Sequence, residues 1–469
     1  MLRVLEVLKV RVLKVLPVLM VLGVSMAQTP APQPRDGVIT GQVVDAASGK
    51  PVGAAIVQTG GGAPLGGRTG GGSVPPPRIL TGSDGRFLFR DLPLGGSTIV
   101  VTKGGYSEGA SGRRVVGGPS QPVVLTAAQR TADVTVRIWK NAAITGAVVD
   151  EAGEPVVALQ VRAARRTITG GRRRFVPSGA AVTTDDRGMY RLSGLPPGDY
   201  LIATSQPPLS ASTSAFADAR TGRSGGAELA SVLGPPGTVN GIQVGEAQLM
   251  IGRGGAIPPP PVRGRMQIYP PIFYPSALAP AQAMTIALAA GEERIGVDLQ
   301  LQPVATVRVT GTLMGPSGPA GLVALRLVPT GVEEIASEVL APVSVSDAAG
   351  AFTFAAVPQG RYSLRGSSRI VTGPPRGGDA YDLAWLNLPI AVSGDDVDGV
   401  LAVMRPSLHI TARLEFEGAP PRPTELPQVR FVGAPFSLES DDNLPSGTGG
   451  FTGGTGGQGF TLGGYAPGK

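Results

Sequence analysis

The chain has 469 residues, of which 42% are hydrophobic and 16% are charged. This composition is too apolar for a disordered chain, and the length suits about three or four domains. The absence of cysteine excludes disulfides, thiolate metal ligands and a cysteine nucleophile. A net charge of +7 is too mild for a nucleic-acid-binding protein. The 70 glycines and 45 prolines follow no collagen period, so they indicate many tight turns between short strands.

The N-terminal segment has the pattern of an export signal. Its basic residues are Arg3, Lys9, Arg11 and Lys14, followed by an apolar run at 15–24 and the small residues Ser25 and Ala27. An uncleaved anchor is the alternative, but about ten apolar residues are fewer than the ~20 that a membrane span needs. We therefore predict a signal peptide at 1–27, a proline-rich linker at 28–36 and no later membrane span. The protein is then periplasmic, outer-membrane-associated or extracellular.

One sequence pattern occurs four times along the chain. Its first half is an apolar-Thr-Gly strand that begins at Ile39 and Ile144. Weaker copies begin at Val309 and at Ile410, and alanine replaces the glycine in the latter. A Gly-x-Pro-Val turn follows at 49–52 and 153–156, and a shortened form follows at 318–320. The spacing predicts a strand and a turn at the start of each copy.

The second half of the pattern is an aromatic strand followed by a turn. Phe87, Tyr190, Phe352 and Phe460 each lie eight residues before a turn glycine. Alternation along a strand places Phe87 and Phe89 on one face, and a Pro-x-Gly turn supplies the reversal that follows. Asp185 and Asp347, three residues before the strand glycine, predict Asx-type turns.

These patterns predict an all-β protein made of tandem Greek-key β-sandwich modules of transthyretin or immunoglobulin type, arranged as beads on a string. We place the modules at 37–139, 140–303, 304–405 and 406–469, the second with long Gly/Pro/Arg-rich insertions. The fourth copy stops where the repeat would place its last strands. We therefore expect a fragment; an open module with exposed edges is the alternative.

The combined motifs resemble carboxypeptidase regulatory-like domains. The shared features are the Thr-Gly-x-Val-x-Asp opening, the Gly-x-Pro-Val turn, the Asp-x-x-Gly-x-aromatic strand and the Leu-Pro-Pro-Gly-x-Tyr close. The first two copies match well, the third moderately and the fourth weakly. The resemblance implies a transthyretin-like, carbohydrate-binding-like sandwich that accompanies exported bacterial proteins. It implies no peptidase activity, because this domain lies beside the catalytic domain of the enzymes that gave it its name.

The sequence offers little for catalysis. His409 is the single histidine, and no nucleophile motif, phosphate loop or zinc motif accompanies it. The richest carboxylate clusters are Asp185-Asp186 and the group around Asp396, which we interpret as turn caps and not as calcium ligands. We predict a protein that is not an enzyme and that has no cofactor and no metal.

Two groups of residues are candidates for binding. The aromatic residues Tyr269, Phe273, Tyr274 and Trp139 are candidates for carbohydrate contact, with packing between modules as the alternative. The basic residues Arg165, Arg166, Arg172, Arg173 and Arg174 are candidates for contact with a polyanion, either an acidic polysaccharide or a membrane surface, with a solvated hairpin loop as the alternative.

The predicted function is that of a non-catalytic, exported structural or interaction element of the cell envelope, acting in adhesion or as a spacer. Its partners would be a polysaccharide or another envelope protein, and not nucleic acid. One alternative is an array of carbohydrate-binding modules. Another is the N-terminal part of a larger envelope receptor.

Overall fold

The computed structural model describes residues 36–61, 78–169, 172–204, 208–215, 240–251, 258–330, 341–371, 381–413 and 459–465. The predicted signal peptide lies outside these residues, as does the predicted linker apart from its last residue. Strands dominate the described residues, and a short 3₁₀ helix covers Pro280–Gln282. Within these ranges, no helix has the length and apolar character needed to cross a membrane.

The first core lies between two sheets. Its strands are β1 Gly37–Asp45, β2 Ile56–Gly61, β3 Arg78–Leu80, β4 Arg86–Leu92, β5 Gly95–Thr102, β6 Tyr106–Ser107, β7 Gly109–Ala110, β8 Val123–Leu125 and β9 Thr131–Lys140. One sheet has the order β4-β1-β9-β6, and the other has the order β3-β2-β5-β7 with β8 also on β5. Alternate residues of β1 are buried, as expected for a strand with one face on a core.

The second core is a similar sandwich with a longer chain. Its strands are β10 Ala142–Val149, β11 Gln160–Thr169, β12 Arg172–Pro177, β13 Val182–Thr183, β14 Met189–Leu195, β15 Gly198–Thr204, β16 Leu209–Ser212, β17 Asn240–Val244, β18 Ala247–Ile251, β19 Gln267–Ile268, β20 Ile286–Leu288, β21 Glu293–Arg294 and β22 Leu299–Gln300. One sheet contains β14, β10, β21 and β22, and the other contains β12, β11, β15, β20 and β13. Strands β16 to β19 belong to neither sheet.

The third core lies between the sheet of β23 and a larger sheet. Its own strands are β23 Val304–Gly315, β24 Gly318–Pro319, β25 Ala324–Pro329, β26 Val343–Val345, β27 Ala351–Pro358, β28 Gly360–Val371, β29 Tyr381–Val392, β30 Val397–Val403 and β31 Arg405–Pro406. The larger sheet has eight strands in the order β17-β18-β16-β26-β25-β28-β29-β31. Three of its strands therefore come from the chain segment that leaves the second core.

All three cores use the same pairing around their first strand. This strand runs antiparallel to the aromatic strand and parallel to a strand near the end of the core, as β1 does with β4 and β9. Strand β10 repeats the arrangement with β14 and β22, and β23 repeats it with β27 and β30. Strands β32 Leu408–Arg413 and β33 Gly459–Tyr465 repeat the antiparallel half, including the register shift. The repeat in the sequence is thus a repeat in hydrogen-bond register.

The repeated glycine of the first strand allows two neighbours to approach closely. A β-carbon would lie 2.2 Å from the Val134 carbonyl oxygen at Gly41, 1.8 Å from that of Val297 at Gly146 and 2.2 Å from that of Val400 at Gly311. The ring of the aromatic strand closes the other side: Phe87 Cζ is 2.5 Å from the same point at Gly41. A contact under 3.0 Å requires something to shift, so the position requires glycine.

The repeated tyrosine after the Pro-x-Gly turn closes the core and the turn together. Tyr362 is 6% exposed, and its hydroxyl donates a hydrogen bond to the Pro358 carbonyl oxygen at 2.8 Å. Tyr200 is fully buried and donates to the carbonyl oxygen of Pro196 in the same way. Burial raises the pKa of Tyr362 to about 12. The Pro-x-Gly-x-Tyr motif therefore has a structural function in both cores.

The predicted Asx turns are confirmed. Asp185 Oδ1 accepts hydrogen bonds from the backbone N–H groups of Arg187 and Met189. Asp347 Oδ1 accepts from those of Ala349 and Ala351. The aromatic pairs also lie on one face as expected: the ring centroids of Phe87 and Phe89 are 6.1 Å apart in an edge-on arrangement. The prediction of an all-β fold of sandwich modules is confirmed.

Candidate binding surfaces

The connection between the first and second cores is a single residue. Asn141 is the one residue between β9 and β10, and its N–H donates to the Gly105 carbonyl oxygen at 2.8 Å. The Ser107 hydroxyl donates to Asn141 Oδ1 at 2.6 Å. From the other side, the N–H of Gly291 donates to the Lys140 carbonyl oxygen at 3.1 Å. Both cores therefore hold this connection.

Trp139 lies at this connection. It is half-buried at the end of β9, next to Ser107 of β6 on the neighbouring strand. Val136 and Ile138 of the same strand are fully buried, so the indole lies on the opposite side, as the alternation predicts. The position agrees with packing near a junction, and contact with carbohydrate remains a prediction.

The connection between the second and third cores is a shared sheet. Strand β16 pairs in parallel with β26 of the third core, and β18 and β17 extend the sheet beyond it. The hydroxyl of Ser210, which is 1% exposed, accepts a hydrogen bond from the buried Ala355 N–H at 3.0 Å. The Ser214 hydroxyl donates to Asp347 Oδ2 at 2.9 Å. The segment from the second core thus completes the structure of the third.

A cleft of about 600 Å³ lies where these two cores meet. Its lining is rich in proline: Pro208, Pro270, Pro271, Pro280, Pro329, Pro342 and Pro358 all contribute. Tyr362 and Phe273 add aromatic edges, while Thr330, Gln359 and Arg361 supply polar side chains. Described residues of both cores line this cleft.

The predicted aromatic platform at 268–275 is not a set of exposed rings. Phe273 is 1% exposed and packs with Phe175, Leu201 and other buried residues, so the expectation that its ring is free to stack on a sugar is wrong. It covers the outer face of the β11–β15 sheet. Its apolar side chain is more stable there than in water.

The two tyrosines of this segment are partly buried against the second core. Tyr269 donates its hydroxyl hydrogen to Glu151 Oε2 at 2.9 Å. Burial, together with the nearby Glu151 carboxylate, raises the pKa of Tyr269 to about 12. Tyr274 contacts the same core, and its N–H donates to the Ile202 carbonyl oxygen at 2.9 Å. Carbohydrate contact by these residues remains a prediction.

The predicted basic run forms the β11–β12 hairpin. Cross-strand partners in this hairpin include Arg166 with Phe175, Thr167 with Arg174, Ile168 with Arg173 and Thr169 with Arg172. The pairing of β15 with β11 extends to Arg165 opposite Tyr200. Beyond Arg165, the described partner of β11 is β12. The hairpin therefore extends past the edge of the sandwich, where basic side chains avoid the cost of burial.

Neighbouring groups lie close to two of these arginines. Arg166 lies 3.3 Å from Asp199, and its guanidinium carbon is 4.9 Å from the centroid of the Phe175 ring. Arg165 Nη1 lies 4.0 Å from the point that a β-carbon would occupy at Gly117 of the first core. Arg173 is exposed, and Arg174 is half-buried. The side chain of Arg172 lies outside the described residues.

The carboxylates of the group at 395–398 hold the last strand of the third core to the first. Asp396 Oδ1 accepts the Arg308 N–H at 2.8 Å, and Asp398 Oδ1 accepts the Thr310 hydroxyl hydrogen at 2.8 Å. Asp298 does the same in the second core by accepting the Ala147 N–H. In the part of the chain that the structure describes, no cluster of three or more potential metal ligands occurs. His409 lies in β32, where the backbone alone is described.

The fold defines a protein of tandem β-sandwich cores. The family model of the carboxypeptidase regulatory-like domain matches residues 143–232, which confirms the resemblance for the second core. The chain therefore contains a carboxypeptidase regulatory-like domain. A comparison with curated protein sequences gives no match.

Solved structures give likenesses of low identity. The TIE protein of Bacillus anthracis is 11% identical, with a TM-score of 0.19. The match covers 79% of this chain and 51% of the TIE protein, so this chain spans about half the length of the TIE protein. The minor pilin of Streptococcus agalactiae is 12% identical, with a TM-score of 0.24 and coverage of 57% and 96%. A candidate carbohydrate-binding protein of Pseudomonas aeruginosa is 17% identical, with a TM-score of 0.18 and coverage of 22% and 90%. At these TM-scores, the likenesses do not support any statement about function.

Proposed function

We propose that this chain is a non-catalytic, exported element of the cell envelope that acts as a spacer and presents its loops to a partner. The observation that carries the proposal is the eight-stranded sheet shared by the second and third cores. A shared sheet opposes bending between two cores, because bending would break backbone hydrogen bonds along β16 and β26. Resistance to bending is what a spacer needs.

The other connections between cores are short as well. Asn141 alone separates β9 from β10, residues 301–303 separate β22 from β23, and Ser407 alone separates β31 from β32. The Ser407 N–H donates to the Leu383 carbonyl oxygen at 2.6 Å. Flexible linkers are longer and rich in glycine and serine. Short, hydrogen-bonded connections support a spacer with fixed geometry.

Export and the module boundaries belong to the same proposal. The basic and apolar segments at 1–27 support cleavage of a signal peptide. The three buried clusters at 39–138, 142–301 and 307–404 support modules at 37–139, 140–303 and 304–405. We assign a fourth module to 406–469 because β32 and β33 repeat the pairing of the other first strands.

Distances between spin labels test the spacer. Because the chain has no cysteine, single introduced cysteines are unique labelling sites. Exposed positions are Ser193 in the second core and Thr312 in the third, and Thr312 with Asn387 serves as the control pair within one core. We expect S193C/T312C to give a distance distribution as narrow as that of T312C/N387C. A distribution several times broader would overturn the spacer proposal.

Co-sedimentation tests the function in the envelope. The mature chain, beginning at residue 28, is mixed with purified cell envelopes and with insoluble polysaccharides at low and high salt. We expect retention on the envelope. Failure to sediment with envelopes would contradict the envelope function, and broad label distances would contradict the spacer function.

Carbohydrate binding is the second candidate function. The observation in its favour is the cleft between the second and third cores, where Gln359 and Arg361 lie among prolines. Apolar surfaces with a few polar groups suit the mixed character of a sugar. Salt-resistant retention on one neutral glycan, lost on Arg361→Ala, would support this candidate. Retention that depends on low salt alone would contradict it.

A further inference from the structure

A buried hydroxyl residue occupies the same position in each of the three cores. Thr81, Thr184 and Ser346 directly follow the short strands β3, β13 and β26, and all three are buried. The N–H of each donates to the carbonyl oxygen of the residue just before the neighbouring strand, namely Ala55, Leu159 and Val323. The residues that come immediately before the three hydroxyl residues are therefore structurally equivalent: Leu80, Thr183 and Val345.

The equivalent residues differ in chemistry and exposure. In the second core, Thr183 is exposed and pairs across the strands with Gln160. In the third core, Val345 is fully buried. In the first core, Leu80 is 65% exposed, and its cross-strand partner Ile56 is 45% exposed. The first core therefore has an apolar pair open to water where the second has a polar pair, and exposure of an apolar pair is unfavourable.

A strand from another core covers the edge of β26. Strand β16 pairs in parallel with β26 and places Ala211 opposite Val345, and both residues are fully buried. The Val343 N–H donates to the Pro208 carbonyl oxygen at 2.9 Å across the same edge. The occupant of this edge in the third core is thus an extended strand with a small side chain beside the equivalent of Leu80.

The same edge of the first core carries backbone groups that face outward. Among the described strands, β3 pairs with β2 and lies at the end of its sheet. The N–H and C=O groups of successive residues in a strand point to opposite sides, and those of Thr81 point to the residues before β2. Those of Leu80 and Arg78 therefore point to the free edge.

The aromatic strands beside these edges show the same difference. Ala355 and Ala356 follow the aromatic pair of β27 and are buried, and the Ala355 N–H donates to Ser210 of β16. Arg90 and Asp91 follow the aromatic pair of β4 and are exposed. The segment that covers the third core therefore has no counterpart among the described residues of the first.

We propose that the free edge of β3 accepts an extended strand from a second polypeptide, which pairs in parallel with β3 and places small or apolar side chains beside Ile56 and Leu80. A strand satisfies both features of the edge, because its backbone pairs with Leu80 and Arg78 while its side chains cover the apolar pair. A lipid surface would cover the side chains but leave the backbone groups unpaired. This site is additional to the spacer function and does not depend on it.

The test measures the fluorescence anisotropy of a labelled peptide mixed with the mature chain. The peptide has the sequence of residues 208–215, which contains β16. We expect saturable binding. Leu80→Ser should weaken it about fivefold, through loss of apolar contact. Leu80→Pro should weaken it about tenfold, because proline also removes the N–H that faces the free edge.

Matched controls separate this edge from general effects. Thr183→Pro makes the same change at the equivalent position of the second core and should leave peptide binding unchanged. A peptide with Ser210→Pro, which loses a backbone donor in the middle of the strand, should not bind. Leu80→Ser leaves the backbone groups in place, so it tests the site even if Leu80→Pro does not fold.

Three results would overturn the proposal. The first is absence of saturable peptide binding. The second is binding that both Leu80 variants leave unchanged, which would place the peptide elsewhere on the chain. The third is concentration-dependent dimerisation without peptide binding, lost in Leu80→Pro and kept in Thr183→Pro, which would assign the edge to a second copy of this chain. None of these results would alter the label distances that test the spacer.

Discussion

Replacing Gly311 with alanine tests the physical reason for the repeated glycine. The new β-carbon would lie 2.2 Å from the Val400 carbonyl oxygen and 2.6 Å from Phe352 Cζ. Overpacking of a core costs ~1–3 kcal/mol when side chains can move aside. Here a backbone carbonyl opposes the methyl group, so β23 and β30 must separate locally. Loss of about two hydrogen bonds adds ~2 kcal/mol, which gives a total of about 3–5 kcal/mol.

Tryptophan fluorescence in urea measures this effect within the third core. The chain has two tryptophans, so a Trp139→Phe background leaves Trp385, which is 5% exposed in β29. With a urea m-value of about 1.5 kcal/mol per molar, the unfolding midpoint should fall by about 2–3 M. Gly315→Ala is the control. Gly315 lies in the same strand as Gly311, and the nearest atom to a β-carbon built there is 3.4 Å away.

The control variant should change the midpoint by less than about 0.7 M, since a compatible glycine-to-alanine change alters stability by ~0.4–1 kcal/mol. A change in the midpoint for Gly311→Ala as small as that for Gly315→Ala would refute the reasoning. It would show that the parallel strands can move apart at little cost. The repeated glycine would then need another explanation.

Three further outcomes are expected in the same background, with Trp385 fluorescence as the readout. Tyr362→Phe should lower the free energy of unfolding by ~1 kcal/mol, through loss of the hydrogen bond to Pro358. The folded-state pKa of Tyr362 is raised to about 12 from an ordinary value near 10. The contribution of the neutral phenol to the free energy of unfolding is therefore complete below pH 10 and decreases as the pH rises towards 12. Stability measured from pH 9 to 12 should fall less in Tyr362→Phe than in the unchanged chain. Ser210→Ala should cost ~1–3 kcal/mol because it leaves the buried Ala355 N–H without its acceptor, and an unchanged urea midpoint would show that β16 does not support the third core.

The fold could be predicted because the information was local and repeated. The aromatic residue, the turn and the glycine recur at fixed spacing. The contacts that explain the turn residues join groups close together in the sequence. Asp185 caps a turn through N–H groups two and four residues away, and Tyr362 bonds to a carbonyl four residues away. Local patterns of this kind can be read from one sequence.

The shared sheet could not be predicted in the same way. Ser210 and its partner Ala355 are 145 residues apart, and parallel pairing leaves no turn signal between them. One signal was available: Gly245 and Glu246 separate two short alternating stretches, a spacing typical of a two-residue hairpin, and β17 and β18 form that hairpin. The pattern gives the hairpin but does not indicate which core it joins.

The candidate surfaces were harder to predict because burial depends on what covers a residue. Phe273 lies in a proline-rich stretch that suggests a loop, yet the loop folds back on the outer face of its own sheet. The arginine run is evident from composition, and a hairpin was one of its two interpretations, but its approach to Gly117 does not follow from sequence spacing. Exposure of Ile168 is likewise a property of the hairpin's extension past β15.

Differences between the cores indicate where function lies. The glycine, the aromatic residues and the tyrosine that recur in the cores are explained by packing. Within the described residues, the second core contributes an extended β11–β12 hairpin and the excursion that forms β16, β17 and β18. The hairpin approaches the first core and the excursion joins the third. The excursion is already paired within the chain, whereas the hairpin extends past β15 and leaves Arg173 exposed, so the hairpin is a candidate for contact with an external partner.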